Sequence, residues 1–208
     1  MCGIAGWMTA DGAAPDRAVL DRMADALAHR GPDGRGLRIH QDTGLVQTRL
    51  AIIDLDTGDQ PIVGPEGSAI VANGEVYNYI ELRDEIPDAP FTTRSDSEVP
   101  LHLYRRDGLA FADALRGMVA LAIHDGGQLV LNRDPFGIKP LYVAEGGFGL
   151  LFASEPRALV ASGLVAAATD DGALAEVAQL QFSCGARTPW AGIRRLLPGE
   201  TLVVRAGR

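Results

Sequence analysis

Glycine sets the grain of this chain. It supplies 25 of 208 residues, roughly 12% against an average near 7%, and it cuts the apolar sequence into short pieces. Residues 4–8, 37–39, 45–53, 69–72, 118–124, 128–133, 141–144 and 150–153 are apolar stretches of strand length bounded by turn residues. The string His124-Asp125-Gly126-Gly127-Gln128 between two of them has the chemistry of a tight hairpin. Helical spacing interleaves with these pieces. Leu20, Met23 and Leu27 recur at +3 and +4 behind Pro15 and Asp16, and Ile80, Leu82 and Ile86 mark a second helix over about 78–86. A third spans 97–106, where Pro100 is tolerated only if the helix starts near Ser97 and places it in the first turn. Strands in such number, joined by hairpins, predict an α+β layered fold on antiparallel sheet rather than parallel βαβ units. No linker divides the chain, so one domain is expected over 1–208, with a core over 2–160 and a looser segment over 161–208.

Composition excludes several classes of function. Hydrophobic residues make up 47% and charged residues 22%, which is enough apolar material for a core and too much for a disordered tail. A net charge of -8 repels phosphate, so neither nucleic acid nor an anionic membrane is expected as a partner. Two cysteines, Cys2 and Cys184, are too few for a disulfide scaffold. There is no basic region followed by an apolar core at the start, and the apolar run at 118–123 falls far short of the ~20 residues that span a bilayer. A soluble cytoplasmic protein is the expectation. His29, His40, His102 and His124 do not pair with one another or with Cys at ligand spacing, and no phosphate loop is present, so neither metal nor cofactor is expected.

What remains is Cys2. A small residue at position 2 permits removal of the initiator Met, after which Cys2 carries a thiol and an α-amine together. An α-amine titrates near 7.7–8.0 in model compounds and can serve as the base for its own nucleophile, with no histidine needed. By position alone, a small residue at a mobile end is the simpler account of Cys2.

The surrounding motifs reverse that preference. Met1-Cys2-Gly3-Ile4-Ala5-Gly6 is followed by His29-Arg30-Gly31-Pro32-Asp33 and Arg49-Leu50-Ala51-Ile52-Ile53-Asp54. Then come Asn73-Gly74-Glu75-Val76-Tyr77-Asn78, Ser95-Asp96, the run from Arg133 through Pro135, Gly137 and Lys139 to Tyr142, and Ala153-Ser154-Glu155. In that order and at those separations the chain resembles the glutaminase domain of glutamine-dependent asparagine synthetases, which are class II (N-terminal nucleophile) glutamine amidotransferases. The resemblance is close to about Leu159 and looser through Gly192 to Gly199.

The resemblance implies a four-layer αββα sandwich of the N-terminal nucleophile hydrolase type, with two packed antiparallel sheets flanked by helices. It also implies hydrolysis of L-glutamine to glutamate and ammonia through a Cys2 thioester. Asn73 and Gly74 match the oxyanion hole, Arg49 the grip on the α-carboxylate, and Asp96 that on the α-ammonium, with Glu75, Ile52 and Ile53 lining the pocket. The stretches 30–33 and 133–142 read as loops that shape the site, Lys139 as a loop residue and Cys184 as inert.

The chain departs from the family in two respects, the smaller being Pro100 inside the third helix, close to Asp96. Asparagine synthetases carry an ATP-pyrophosphatase domain with an S-G-G-x-D-S loop, and Ser162-Gly163-Leu164 is the nearest string here. The expected partner is therefore an ATP-dependent synthetase, either as a separate subunit or as a C-terminal domain. Two other readings stay open: a catalytically silent glutamine-binding or regulatory module that docks on a synthetase, and a hydrolase of other amides.

Overall fold

The computed structural model describes residues 1–208. Eleven strands run in chain order: β1 (Gly3–Thr9), β2 (Gly34–His40), β3 (Thr43–Arg49), β4 (Ile62–Val63), β5 (Ala69–Val76), β6 (Gly117–Asp125), β7 (Gln128–Arg133), β8 (Tyr142–Gly146), β9 (Gly149–Ala153), β10 (Ile193–Arg195) and β11 (Thr201–Arg205). They form two antiparallel sheets, one ordered β10-β8-β9-β1-β3-β2 and the other β11-β7-β6-β5-β4. Six helices accompany them: α1 (Arg17–Leu27), α2 (Tyr79–Asp84), α3 (Val99–Asp107), α4 (Phe111–Ala114), α5 (Pro156–Ala161) and α6 (Asp171–Leu180). None is long and apolar enough to cross a membrane.

Alternation along each strand separates three apolar clusters and so fixes four layers. Ile4 and Met8 of β1 meet Val71 of β5, Ala120 and Ala122 of β6 and Leu131 of β7, which closes the space between the sheets. Their neighbours point outward. Ala5, Val46 and Leu151 carry Leu20, Met23 and Leu27 of α1 and Leu159 of α5. On the far side, Ile70, Leu121 and Ile123 carry Leu82, Leu101, Leu103 and Phe111. The sandwich expected from the motifs is the one observed. Gly6 is part of its packing, because a Cβ there would stand 2.4 Å from the Phe152 ring.

The local predictions hold where punctuation is strong. Gly126 and Gly127 take φ of 57° and 77° between the paired Asp125 and Gln128, the signature of a two-residue type I′ turn. Asp16 caps α1 by accepting from Ala18 N–H at 2.9 Å. Pro100 falls in the first turn of α3, after a 3₁₀ turn over Asp96–Glu98 whose cap is Ser95. Elsewhere there are corrections. The stretch 45–53 is a strand only to Arg49, and residues 50–59 leave the sheet. The segment 161–208 is not loose throughout: α6 buries little beyond Ala173, but β10 extends one sheet beside β8 and β11 extends the other beside β7.

Candidate active site

Three strand ends meet at one cavity. Cys2 immediately precedes β1, whose Gly3 pairs with Thr48, so Cys2 lies beside the end of β3 and the departing loop. Leu50 N–H donates to Cys2 Sγ at 3.3 Å, and Sγ stands 3.5 Å from Leu50 O. Beneath, Arg30 Nε donates to Cys2 O at 2.9 Å while Arg30 Nη1 pairs with Glu155 at 2.7 Å. Burial works to raise the Glu155 carboxyl, but Arg30 and His29 hold it below its ordinary value. Gly31 lets this turn press on β3, since a Cβ would lie 2.3 Å from the Thr48 carbonyl. Asp33 then ties down the loop through Ala51 N–H at 2.9 Å. The stretch 30–33 thus shapes the site without lining it.

From the other sheet, β5 brings Asn73, Gly74 and Glu75. Asn73 is buried, and its Nδ2 finds no hydrogen-bond partner. Gly74 has φ of 151°, and a Cβ on it would meet Met118 O at 1.9 Å, so no other residue fits the close approach of β6. Asp96 is also buried. It accepts from Val76 N–H at 2.8 Å, and Ser95 Oγ–H donates to it at 3.4 Å. Burial pushes its carboxyl above the ordinary value, with a further push from Glu75, against hydrogen bonds from Val76 and Ser97. Neither Asp96 nor Glu75 makes an ion pair, so this part of the cavity has uncompensated acid suited to a cation.

Arg49 provides the opposite charge. Its guanidinium donates to Asp54 O at 2.5 Å and to Asp59 Oδ1 at 2.6 Å, lacing the 50–59 loop together. Asp54 has φ of 53° and accepts from Thr57 and Arg94 backbone N–H groups, which sets the bend of that loop. Ile52 is exposed on it and Ile53 half-buried.

Cys2, Arg49, Ile52, Ile53, Asn73, Gly74, Glu75 and Asp96 all line this single cavity. Gln47, Gln60, Ser95, Ser97 and Lys139 line it too, and the sequence reading missed them as site residues. Gln60 Oε1 accepts from Ala72 N–H at 2.6 Å, a contact from loop to β5 that no spacing announces. Lys139, read as a plain loop residue, is buried with its Nζ 3.2 Å from Met1 Sδ. Cys184 is exposed and remote from the cavity.

The arrangement places a thiol, a buried amide donor without a partner, two cations and two acids without ion pairs in one pocket, groups of the kinds from which amide hydrolysis can be built.

Comparison with known proteins agrees. A family model described as a glutamine amidotransferase domain matches residues 1–208. Asparagine synthetase [glutamine-hydrolyzing] 2 of Bacillus subtilis (strain 168) is 42% identical over 167 residues, covering 76% of this chain and 22% of that protein. Asparagine synthetase [glutamine-hydrolyzing] 1 of the same organism is 37% identical over 218 residues, covering 99% of this chain and 34% of that protein. The chain therefore spans between a fifth and about a third of the length of these relatives. Among solved structures, glutamine phosphoribosylpyrophosphate amidotransferase from B. subtilis aligns with a TM-score of 0.63 at 21% identity, covering 78% of this chain and 44% of that one, a likeness of fold. The family model over the whole chain and the identity to these relatives show the family that the motifs resemble: this chain belongs to the class II glutamine amidotransferases.

Proposed function

We propose that the chain is a glutaminase, hydrolysing L-glutamine to glutamate and ammonia through a thioester on Cys2. The observation that carries this reading is the cavity itself, where Cys2 shares one lining with a buried, unpartnered Asn73 amide, the Arg49 guanidinium and the acids Asp96 and Glu75. Removal of Met1 frees the α-amine of Cys2, which takes the thiol proton as sulfur attacks the substrate amide carbon. The oxyanion of the tetrahedral adduct accepts from Asn73 Nδ2–H and Gly74 N–H, donors built in advance of the charge they meet. The amine returns its proton to the leaving nitrogen, ammonia departs, and water then cleaves the thioester to give glutamate. Arg49 grips the α-carboxylate with a planar fork. Asp96 and Glu75 hold the α-ammonium, and Ile52 and Ile53 cover the chain of the substrate. Clamps for both charges of an amino acid select free glutamine over a peptide.

Ammonia made here would be consumed by an asparagine-synthetase-like, ATP-dependent partner, as a separate subunit or a further domain. That the relatives are glutamine-hydrolysing asparagine synthetases of much greater length supports that reading. The test is Cys2→Ala with ammonia release as the readout, alongside the intact mass of the wild-type protein. Loss of glutaminase activity in a folded variant, with Met1 absent from the wild type, is expected. Wild-type rates from the Ala variant would refute the mechanism. A retained Met1 with no ammonia release would instead favour the silent glutamine-binding or regulatory module.

A further inference from the structure

Lys139 is the one lysine in the chain, and its surroundings are elaborate for a loop residue. It is 5% exposed. Its backbone is fixed at both ends: Lys139 N–H donates to Asp134 Oδ2 at 3.0 Å, and Arg133 Nε donates to Lys139 O at 2.8 Å. Asp134 also accepts from Phe136 and Ile138 N–H at 3.1 and 3.0 Å, and Arg133 reaches Leu196 O and Gly137 O at 2.5 and 2.6 Å. The whole 133–139 turn is thus set rigidly around the lysine. Its ammonium, though, pairs with no carboxylate, and its one polar contact is Met1 Sδ at 3.2 Å. A buried ammonium is costly without a partner. This one rests against the side chain that processing takes away. Five bonds separate Met1 Sδ from the Cys2 nitrogen, so Nζ lies within about 10 Å of the amine that processing creates.

We propose that Lys139 is a positioning residue for the nucleophile, acting electrostatically: with Met1 removed, its ammonium faces the new amino terminus and favours the unprotonated amine and the thiolate of Cys2. This rests on the glutaminase reading above. A cation beside an amine and a thiol favours the deprotonated form of both. Other charges act on the same residue. Arg30 on Cys2 O is paired with Glu155, which His29 also contacts, and Arg49 is paired with Asp59. Glu75 and Asp96 line the cavity and oppose the effect. The charge of Arg133 lies among backbone carbonyls, and Asp134 is spent on three N–H groups. Lys139 is the cavity cation left without a counter-ion.

The experiment uses full-length protein in a Cys184→Ser background, its N-terminal Cys verified by mass. Wild type, Lys139→Met, Lys139→Gln and Lys139→Arg are compared in two pH profiles: kcat/KM for glutamine and the rate of Cys2 alkylation by iodoacetamide. The neutral variants should move the acidic limb of both profiles up by about one pH unit, the size of a like-charge interaction across ~10 Å at an effective dielectric near 20. The Arg variant should restore the limb. Limbs that stay in place in the neutral variants overturn the proposal, as does an Arg variant that behaves like Met or Gln. A protein that releases no ammonia but whose alkylation limb moves as described sinks the glutaminase reading and leaves the role of Lys139 standing.

Discussion

Arg49 Nη1 stands 2.6 Å from Asp59 Oδ1, and the two side chains live in different solvents: that of Arg49 is 9% exposed and that of Asp59 83%. On the proposed reading, the substrate α-carboxylate seeks the fork that Asp59 now holds. An ion pair with one well-hydrated member contributes ~0–1 kcal/mol, so the competition is mild. Asp59→Asn is expected to lower KM for glutamine about two- to five-fold with kcat little changed. Steady-state ammonia release at low ionic strength measures this, and a raised KM would show that Asp59 orients Arg49 instead of competing for it.

Asn73 carries a different signature, a buried amide nitrogen without a partner. An unmet buried donor costs roughly 1–3 kcal/mol, so the fold gains nothing from this nitrogen. Its removal should therefore spare stability and strike the reaction. Asn73→Ala is expected to lower kcat by about 10²–10³-fold, the loss typical of one oxyanion donor, while the thermal midpoint changes little. A midpoint that falls in step with activity would assign Asn73 to the fold.

These two residues also mark what a linear reading reaches. Asn73-Gly74 stood out only as part of the motif series, since the pair alone reads as an ordinary turn, and the close approach of β6 to Gly74 emerges only in the fold. The partner of Arg49 was not, because it depends on how residues 50–59 bend after the strand ends, and the apolar run through Ile53 concealed that end. The third helix was legible despite Pro100, since a missing N–H is harmless in a first turn. β11 escaped notice for the opposite reason: Thr201 pairs with Asn132, far away in sequence, and nothing local announces it. Lys139 is the sharpest case. Uniqueness made it visible, but its place beside Met1 comes from packing across 138 residues.

Glu98 is the hidden support of the 92–98 turn that carries Asp96. Its carboxylate is wholly buried and accepts from the backbone N–H groups of Thr92 and Thr93, both at 2.7 Å, and from their hydroxyls at 3.0 and 2.6 Å, with His102 Nε2 3.4 Å away. Burial alone would raise its pKa, but the bonds from His102, Thr93 and Thr92 prevail and lower it to about 2. A carboxyl depressed in the folded state stabilises above its unfolded pKa, and that stability disappears as pH falls toward the folded value. Wild-type stability from urea denaturation is therefore expected to drop between about pH 4.5 and 2, with Glu98 supplying roughly 2–3 kcal/mol at neutral pH. Glu98→Gln should be less stable at pH 7 and show a shallower acid dependence. Equal acid slopes in the two proteins would remove Glu98 from this role.

Asp96, two residues earlier, has the opposite sign. Burial raises its carboxyl above the ordinary value and the nearby Glu75 adds to that, against the N–H groups of Val76 and Ser97. A raised carboxyl stabilises only below its unfolded pKa, and that stability is lost as pH rises through the folded value, so ionised Asp96 is a burden on the fold at neutral pH. Asp96→Asn removes the charge and keeps the bond from Val76 N–H on the amide oxygen, while the amide nitrogen can donate to Ser95 Oγ in place of the bond now accepted from it. The variant is expected to melt at a higher temperature than wild type at pH 7 and to lose that advantage near pH 3. Its KM for glutamine should rise about 10–100-fold, because a buried hydrogen bond to a charged group is worth ~1.5–3 kcal/mol. Calorimetry at the two pH values and glutaminase kinetics at pH 7 test both halves together. A variant that melts lower at pH 7 would show that the carboxylate is needed for structure. One with unchanged KM would place the substrate ammonium elsewhere, and Glu75 would be the carboxylate left in the cavity to receive it.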